Sequence, residues 1–340
     1  MRLRSFTIIA VAVLVVSAGG TSGAQTGQYV KAGEIHIGGA GGFDYLNVDS
    51  DAKRLYVTHG TEIVVIDLTT NGIVGRIPDT PRVHGIAFAP GGRGFTTNGG
   101  ENKVGIIDLK SLQLLSKVDT GANPDAVFYD SKQKEIWAVN HSTTSATVID
   151  AASGKVTATV TLSGAGESGQ SDPSLGRAYI NIEDKDAVDA IDVVTHKLIA
   201  TWPVAPAKSP TGMAIDPTGH RVFVGGGPSV VMMDGSSGKV VASAPICTGT
   251  DATWFDAGTH MLFVACGDGH ITTLKVAGDK LTVAQTIETT RGARTMALDP
   301  VSHRIYTAAP AYQPAAPGAP AGTRPTAVPD SFRVLIFEMK

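Results

Sequence analysis

Through most of its length the chain repeats one pattern: a short run of alternating apolar and polar positions, a turn rich in Gly, Asn or Asp, then another run. Alternation with a period of two marks a half-buried β-strand, and those turn residues tolerate the backbone angles a tight reversal needs. One stretch predicts strands over Gly85–Phe88, Gly94–Thr97, Val104–Asp108 and Leu114–Val118, with turns at Pro90-Gly91-Gly92 and Asn98–Asn102. No segment shows a convincing helical period.

The runs recur at a fixed spacing. An apolar strand closing in Ile-Asp or a close variant appears at Ile66-Asp67, Ile107-Asp108, Ile149-Asp150, Ile191-Asp192, Met233-Asp234, Leu274-Lys275 and Phe337-Glu338. The spacings are 41, 42, 42, 42, 41 and 63 residues, the last being one period plus 21 residues of insertion. A turn anchor recurs in step at Asp49, Ala89, Asp130, Asp172, Asp216, Asp256 and Asp299. An aromatic follows each anchor: Tyr56, Phe95, Trp137, Tyr179, Phe223, Phe263 and Tyr306. Four short strands per unit of ~40–45 residues describe propeller blades, so the fold expected is an all-β, seven-bladed β-propeller.

Closure is legible too. The last repeat stops after its third strand, Phe332–Met339, while Tyr29–Ile37 has the pattern of an orphan fourth strand. The N-terminal strand is expected to complete the last blade, leaving no open sheet edge. The insertion, about 308–329, carries Pro310, Pro314, Pro317, Pro320, Pro325 and Pro329. Its Pro/Ala composition favours an extended segment, read either as a lid over one face or as a free arm.

Arg54-Leu55-Tyr56-Val57-Thr58, Val64-Val65-Ile66-Asp67-Leu68-Thr69-Thr70 and Met213-Ala214-Ile215-Asp216-Pro217 resemble the YVTN repeat of YncE-like bacterial propellers. The resemblance spans essentially the whole mature chain and implies the fold. It implies little about function, because the motif consists of core and turn residues. The sixth blade departs from it, with Leu274-Lys275 in place of Ile-Asp and Met261 where Arg is common.

The N-terminus sets the expected compartment. Arg2 and Arg4 precede an apolar stretch, Phe6–Val16, of eleven residues, too short for the ~20 a membrane span needs. Ser22-Gly23-Ala24 then fits a small-x-small cleavage site, so residues 1–24 read as a signal peptide, with a retained anchor as the alternative. Residues 25–340 are then one exported domain, periplasmic or secreted, with no membrane span after cleavage and expected to be monomeric. Without the two signal arginines, 28 basic residues become 26 against 31 acidic, a net charge of −5. With no Lys/Arg cluster, that balance argues against nucleic-acid binding. Cys247 and Cys266 are either a disulfide or two separate thiols, since spacing alone does not establish the required geometry.

Residues that recur in every blade are read as architecture. Trp137 is a core aromatic, His220, His260 and His303 are solvated turn residues, and the Asp of each Ile-Asp pair caps the following turn. The informative positions share a register but differ in chemistry. Five residues before each turn anchor, where the innermost strand begins, the blades supply Asp44, His84, Asp125, Glu167, Thr211, Asp251 and Arg294. This ring of seven polar groups, four of them carboxylic, is expected to line one mouth of the central channel. Turns opening on the same face add His59, Asn98, His141, Glu183, Asp184 and Asp186.

Crowded carboxylates hold protons, recruit a cation or pair with a base. Arg294 is the one fixed positive charge in the ring, set to neutralise Asp44 and Glu167 or to hold an anionic group. His59, His84 and His141 with a carboxylate suit Zn or Cu, and oxygens alone suit Ca or Mg; a divalent metal is therefore considered without a ligand motif to fix it. The chain lacks a Gly-rich phosphate loop, a Gly-x-Ser-x-Gly elbow and His-Glu-x-x-His, and Gly166-Glu167-Ser168-Gly169 reads as a loop with no base beside it. The leading expectation is a binding module that takes a small molecule or protein partner at the polar mouth. The alternative is a metal-assisted lactonase- or lyase-like enzyme, with His84 as base, Glu167 as acid and Arg294 holding the developing charge. A third is an accessory protein for a redox enzyme, without covalent haem because Cys-x-x-Cys-His is absent.

Overall fold

The alternating runs become strands because each apolar residue has a neighbouring blade to bury against. The computed structural model describes residues 27–313 and 326–340; residues 1–26, where a signal peptide is expected, and residues 314–325 of the insertion lie outside them. The strands form seven four-stranded antiparallel sheets. We letter the strands a to d from the channel outward. The first blade is Phe43–Asp49, Arg54–His59, Glu62–Asp67 and Gly72–Ile77. Successive a strands pack side by side around the whole circle, and the seventh meets the first.

The seventh blade holds Met296–Leu298, Ile305–Ala309 and Arg333–Met339, with Tyr29–His36 as its outer strand. The N-terminal strand therefore closes the ring, as the sequence predicts. Tyr29 locks it: its ring meets Phe263 edge-on at 5.2 Å, and its hydroxyl donates to the His303 carbonyl at 2.9 Å. Gln285 of the sixth blade bonds both the N–H and the carbonyl of Tyr29, at 2.9 and 2.8 Å.

The core lies between blades. All seven repeat aromatics are at most 1% exposed, Trp137 among them. Each such side chain stabilises by about 1.5–3 kcal/mol through removal from water. The Asp of the Ile-Asp pair caps its turn as expected: Asp67 accepts the N–H groups of Thr69 and Thr70 at 2.8 and 2.9 Å. Those bonds hold its carboxyl below the usual range. The Arg that opens strand b reaches the next blade's c–d turn, as with Arg54 to the Leu109 carbonyl at 2.7 Å and Arg93 to that of Ala152 at 2.6 Å. In the sixth blade Met261 supplies no such bond.

Two expectations are corrected or settled at this level. His220 and His303 are bridges between blades: Nδ1 of His220 lies 2.8 Å from Asp172, and that of His303 2.6 Å from Asp256, both carboxylates being buried in the preceding blade. The turn that holds each His at positive φ carries the ring toward its neighbour. Cys247 and Cys266 form a disulfide, with Cα atoms 5.8 Å apart.

Candidate functional site

Polar residues reach the channel mouth because strand a is deformed where they sit. In each of blades 1 to 6 the a–b pairing slips at the ring position. Phe43 pairs His59 and Leu46 pairs Val57, so Asp44 and Tyr45 stand opposite the single residue Thr58. The same slip frames His84, Asp125, Glu167, Thr211 and Asp251. A β-bulge re-aims side chains and ends regular pairing, which turns these residues inward at the mouth. Strand b fills the gap left behind: the Thr58 hydroxyl accepts from Asp44 N at 3.0 Å, and that of Thr97 from Gly85 N at 3.0 Å.

Three blades then share one imidazole. Nδ1 of His84 lies 2.6 Å from Asp44 and 3.6 Å from Asp125. Burial pulls His84 down, but the bond to Asp44 and the Asp125 charge outweigh it and leave the ring above its ordinary value. Burial pushes the Asp125 carboxyl up to about 8, and the charges of Glu167 and Asp44 push the same way. Arg294 ion-pairs with Asp251 through Nε and approaches Asp44 at 3.9 Å, its guanidinium over the Phe43 ring at 5.5 Å. Burial still lifts Asp251 to about 7, with Asp44 adding to the rise and Arg294 opposing it.

A second cluster stands between blades 3 and 4. Nδ1 of His141 lies 2.9 Å from Glu167, on a short 3₁₀ turn (His141–Thr143) that follows strand b. The equivalent turn of blade 4, Glu183–Lys185, brings Glu183 alongside. The bond to Glu167 raises His141 to about 9, and burial with the Glu167 charge raises Glu183. Two triads thus have donor atoms within 4.8 Å of one another: Asp44–His84–Asp125 and His141–Glu167–Glu183. Each offers nitrogen and carboxylate oxygen, a donor set that fits a divalent cation such as Zn.

The remaining predicted residues divide. Thr211 lies in the ring, but its hydroxyl donates to the Thr250 carbonyl at 2.7 Å, a bond internal to the fold. His59 joins neither triad; it is buried and stacked on Phe332 with centroids 4.4 Å apart, and burial lowers its pKa. Asn98, Asp184 and Asp186 hold loops in place through Glu101, Ala165 N and Ser209 N at 2.8, 2.8 and 2.7 Å. Glu167 pairs with His141 and not with His84, so the expected His84–Glu167 acid–base pair is not assembled. Arg294 meets Asp251 and Asp44, not Glu167. Gly166-Glu167-Ser168-Gly169 is the start of strand a, not a loop, and His141 is the base beside it. The described base of the insertion is a narrow ladder in which Gln313 N donates to the Thr326 carbonyl at 2.8 Å. Its Tyr312 lies near Arg294: burial raises the pKa of the phenol and the Arg294 charge opposes the rise.

One residue of the channel escapes a reading based on polarity. The position after the ring is Gly85, Ala126, Ser168, Gly212, Ala252 and Thr295 in six blades and Tyr45 in the first. The Tyr45 hydroxyl is buried without a hydrogen-bond partner. Burial, then the charges of Glu167, Asp125, Asp251 and Asp44, push its pKa well above the ordinary range. A phenol from blade 1 that feels carboxylates of blades 3, 4 and 6 sits at the channel axis. Aligning the repeats column by column exposes it as the single large residue in a small-residue layer.

No protein-family model and no curated protein sequence matches the chain. Solved structures do. A chain of Kuenenia stuttgartiensis hydrazine synthase superposes with a TM-score of 0.70 at 14% identity, over 80% of this chain and 94% of that one. A chain from the crystal structure of the mitotic checkpoint complex gives a TM-score of 0.73 at 12% identity, over 100% and 99%. At such identities the likeness is one of fold. Among the described residues, no helix is long and apolar enough to cross a membrane.

Proposed function

We propose that this chain is an exported propeller of the YncE-like, YVTN-repeat kind that works as a binding module, taking a small-molecule or protein ligand at its polar mouth. The observation that carries the reading is the bulged ring, which gathers Asp44, His84, Asp125, Glu167, Asp251 and Arg294 where the fold does not require charge. Thr211 makes the contrast: at the same position in blade 5 a hydroxyl satisfies the neighbouring backbone with no ionisable group. Export is supported by the signal-like residues 1–24 and by the Cys247–Cys266 bond, which suits an oxidising compartment. A thermal-shift panel of organic acids, amines, sugars and divalent cations tests the reading on residues 25–340. A ligand that raises the melting temperature of the wild type, but not of the Asp125→Asn/Asp251→Asn double variant, supports it. A panel without any shift that depends on these two residues contradicts it.

The second reading, a metal-assisted lactonase- or lyase-like enzyme, draws on the Asp44–His84–Asp125 triad, whose donor atoms already lie together. Elemental mass spectrometry of protein purified without chelator separates the two. Stoichiometric metal that is lost on His84→Ala favours the enzyme. Metal-free protein unaffected by added Zn or Ca leaves the binding module.

A further inference from the structure

Below the mouth the channel holds a cavity of about 300 Å³, at the small end of the ~300–1,000 Å³ typical of ligand pockets. Tyr45 and Asp251 line one end of it. At the other, Tyr129 and Ser171 line it, each one residue before the turn Asp of its strand, on the face opposite the mouth. The rest of the lining mixes aromatic and aliphatic side chains: Phe128 and Trp254 stand between the ends with Ile86 and Met213, and Phe88 lies level with Tyr129. Trp254 gives its indole N–H to the Met296 carbonyl at 2.8 Å, so it offers the lumen its ring and not its donor. Gln170 brings an amide into the same wall that has no hydrogen-bond partner among the described residues.

Tyr45 divides the channel. Its counterparts in the other blades are all small, so its phenol fills the layer between the polar ring and this cavity. A buried hydroxyl without a partner is unfavourable, and this one lies near the carboxyl groups of Asp44, Asp125, Glu167 and Asp251. Asp251 is held by Arg294 through Oδ2, which leaves Oδ1 without a hydrogen-bond partner among the described residues. The lone pairs of the Tyr45 oxygen and of Asp251 Oδ1 suit a positively charged ligand head, and aromatic ring faces along the wall suit it again.

We propose that the lumen beneath Tyr45 is a second ligand site, reached from the face opposite the polar mouth, for a small organic cation. Its ammonium head lies against Tyr45 and Asp251, and its apolar body lies against Phe88, Phe128 and Trp254. The site shares Asp251 with the polar mouth, and a substitution elsewhere in the mouth separates the two.

The test titrates benzyltrimethylammonium, and its neutral isostere neopentylbenzene, into residues 25–340 while following tryptophan fluorescence. Trp137, Trp202 and Trp254 are the 3 tryptophans, and a Trp254→Phe variant assigns the signal. The expected result is saturable quenching of Trp254 by the cation, with affinity for the isostere lower by about tenfold or more, the factor that 1.4 kcal/mol represents. Asp251→Asn weakens the cation by a similar factor and Gln170→Phe, which fills the lumen, abolishes the quenching. Glu183→Gln, at the mouth, leaves it unchanged. Equal affinity for cation and isostere, or no quenching of Trp254, overturns the proposal. So does a Glu183→Gln effect as large as that of Asp251→Asn, which would place the cation at the mouth. Both probes meet the wild type, so the charge comparison stands even if Gln170→Phe fails to fold.

Discussion

Asp44 meets His84 at 2.6 Å and Arg294 at 3.9 Å, so one carboxylate of the first blade joins a cation of the second to a cation of the seventh. The mouth is a chain of alternating charge that runs from Asp251 through Arg294, Asp44 and His84 to Asp125, and it crosses the seam where the ring closes. Its members come from five blades, and the geometry of each is set by a bulge or loop in its own strand. Such a chain holds protons as well as charge, and this makes the mouth sensitive to pH.

Stability is expected to fall as pH rises from 5 to 9. Asp125, lifted to about 8, and His141, lifted to about 9, bind protons more tightly folded than unfolded. A raised folded pKa gives stability that is full below the unfolded value and lost as pH climbs through the folded one. With unfolded values near ~4 and ~6.5, the loss spans about pH 4–8 for Asp125 and about pH 6.5–9 for His141. Differential scanning calorimetry at fixed ionic strength checks it. The Asp125→Asn variant flattens the fall below pH 8, and a melting temperature that rises steadily over this range contradicts the assignment.

The bridges between blades carry stability. Asp172 is buried and accepts from Ser174 and Leu175 backbone N–H groups and from His220. Asp172→Ala is expected to cost on the order of 2 kcal/mol, because it removes a buried carboxylate that gathers several donors at once. Urea unfolding measures it, and a loss below about 1 kcal/mol would mean that the bridge is incidental.

Closure depends on the N-terminal strand. Deleting residues 25–36 leaves the edge of Arg333–Met339 unpaired along its length, and exposed strand edges aggregate. The deletion is expected to give soluble aggregate on size-exclusion chromatography. Tyr29→Ala, which keeps the strand and empties its anchor, is expected to cost about 3–5 kcal/mol. A monomeric deletion variant with an unchanged melting temperature would show that the ring closes another way.

Reduction of Cys247–Cys266, separated by 19 residues, is expected to lower stability by about 3 kcal/mol without opening the ring. The Cys247→Ser/Cys266→Ser variant compared with wild type, with and without reductant, measures the loss. Only the wild type should respond to reductant.

How far the sequence could be read follows from where information lies along the chain. The blade count was legible because Ile-Asp and its aromatic recur at a spacing that only a repeated four-stranded unit explains. The ring was legible as a register, since Asp44, His84 and their counterparts fall five residues before each turn anchor. Their pairing was not. Whether His84 meets Asp44 or Glu167 depends on how each bulge turns a side chain, and bulges leave no regular mark in the pattern. His220 and His303 looked solvated because turns usually are, while the partner that buries one face of each comes from a blade more than forty residues earlier. Tyr45 carries no mark of its own in the sequence, since a lone tyrosine is weaker polar chemistry than a carboxylate; its meaning lies in the six small residues that share its column.

The polar mouth is proposed to hold a ligand. Native mass spectrometry of protein gently isolated from the cells that make it decides this. An adduct mass is expected on the wild type and absent from the folded Asp125→Asn/Asp251→Asn variant. Identical bare masses for both proteins, with binding still undetected after incubation in an extract of those cells, would contradict it.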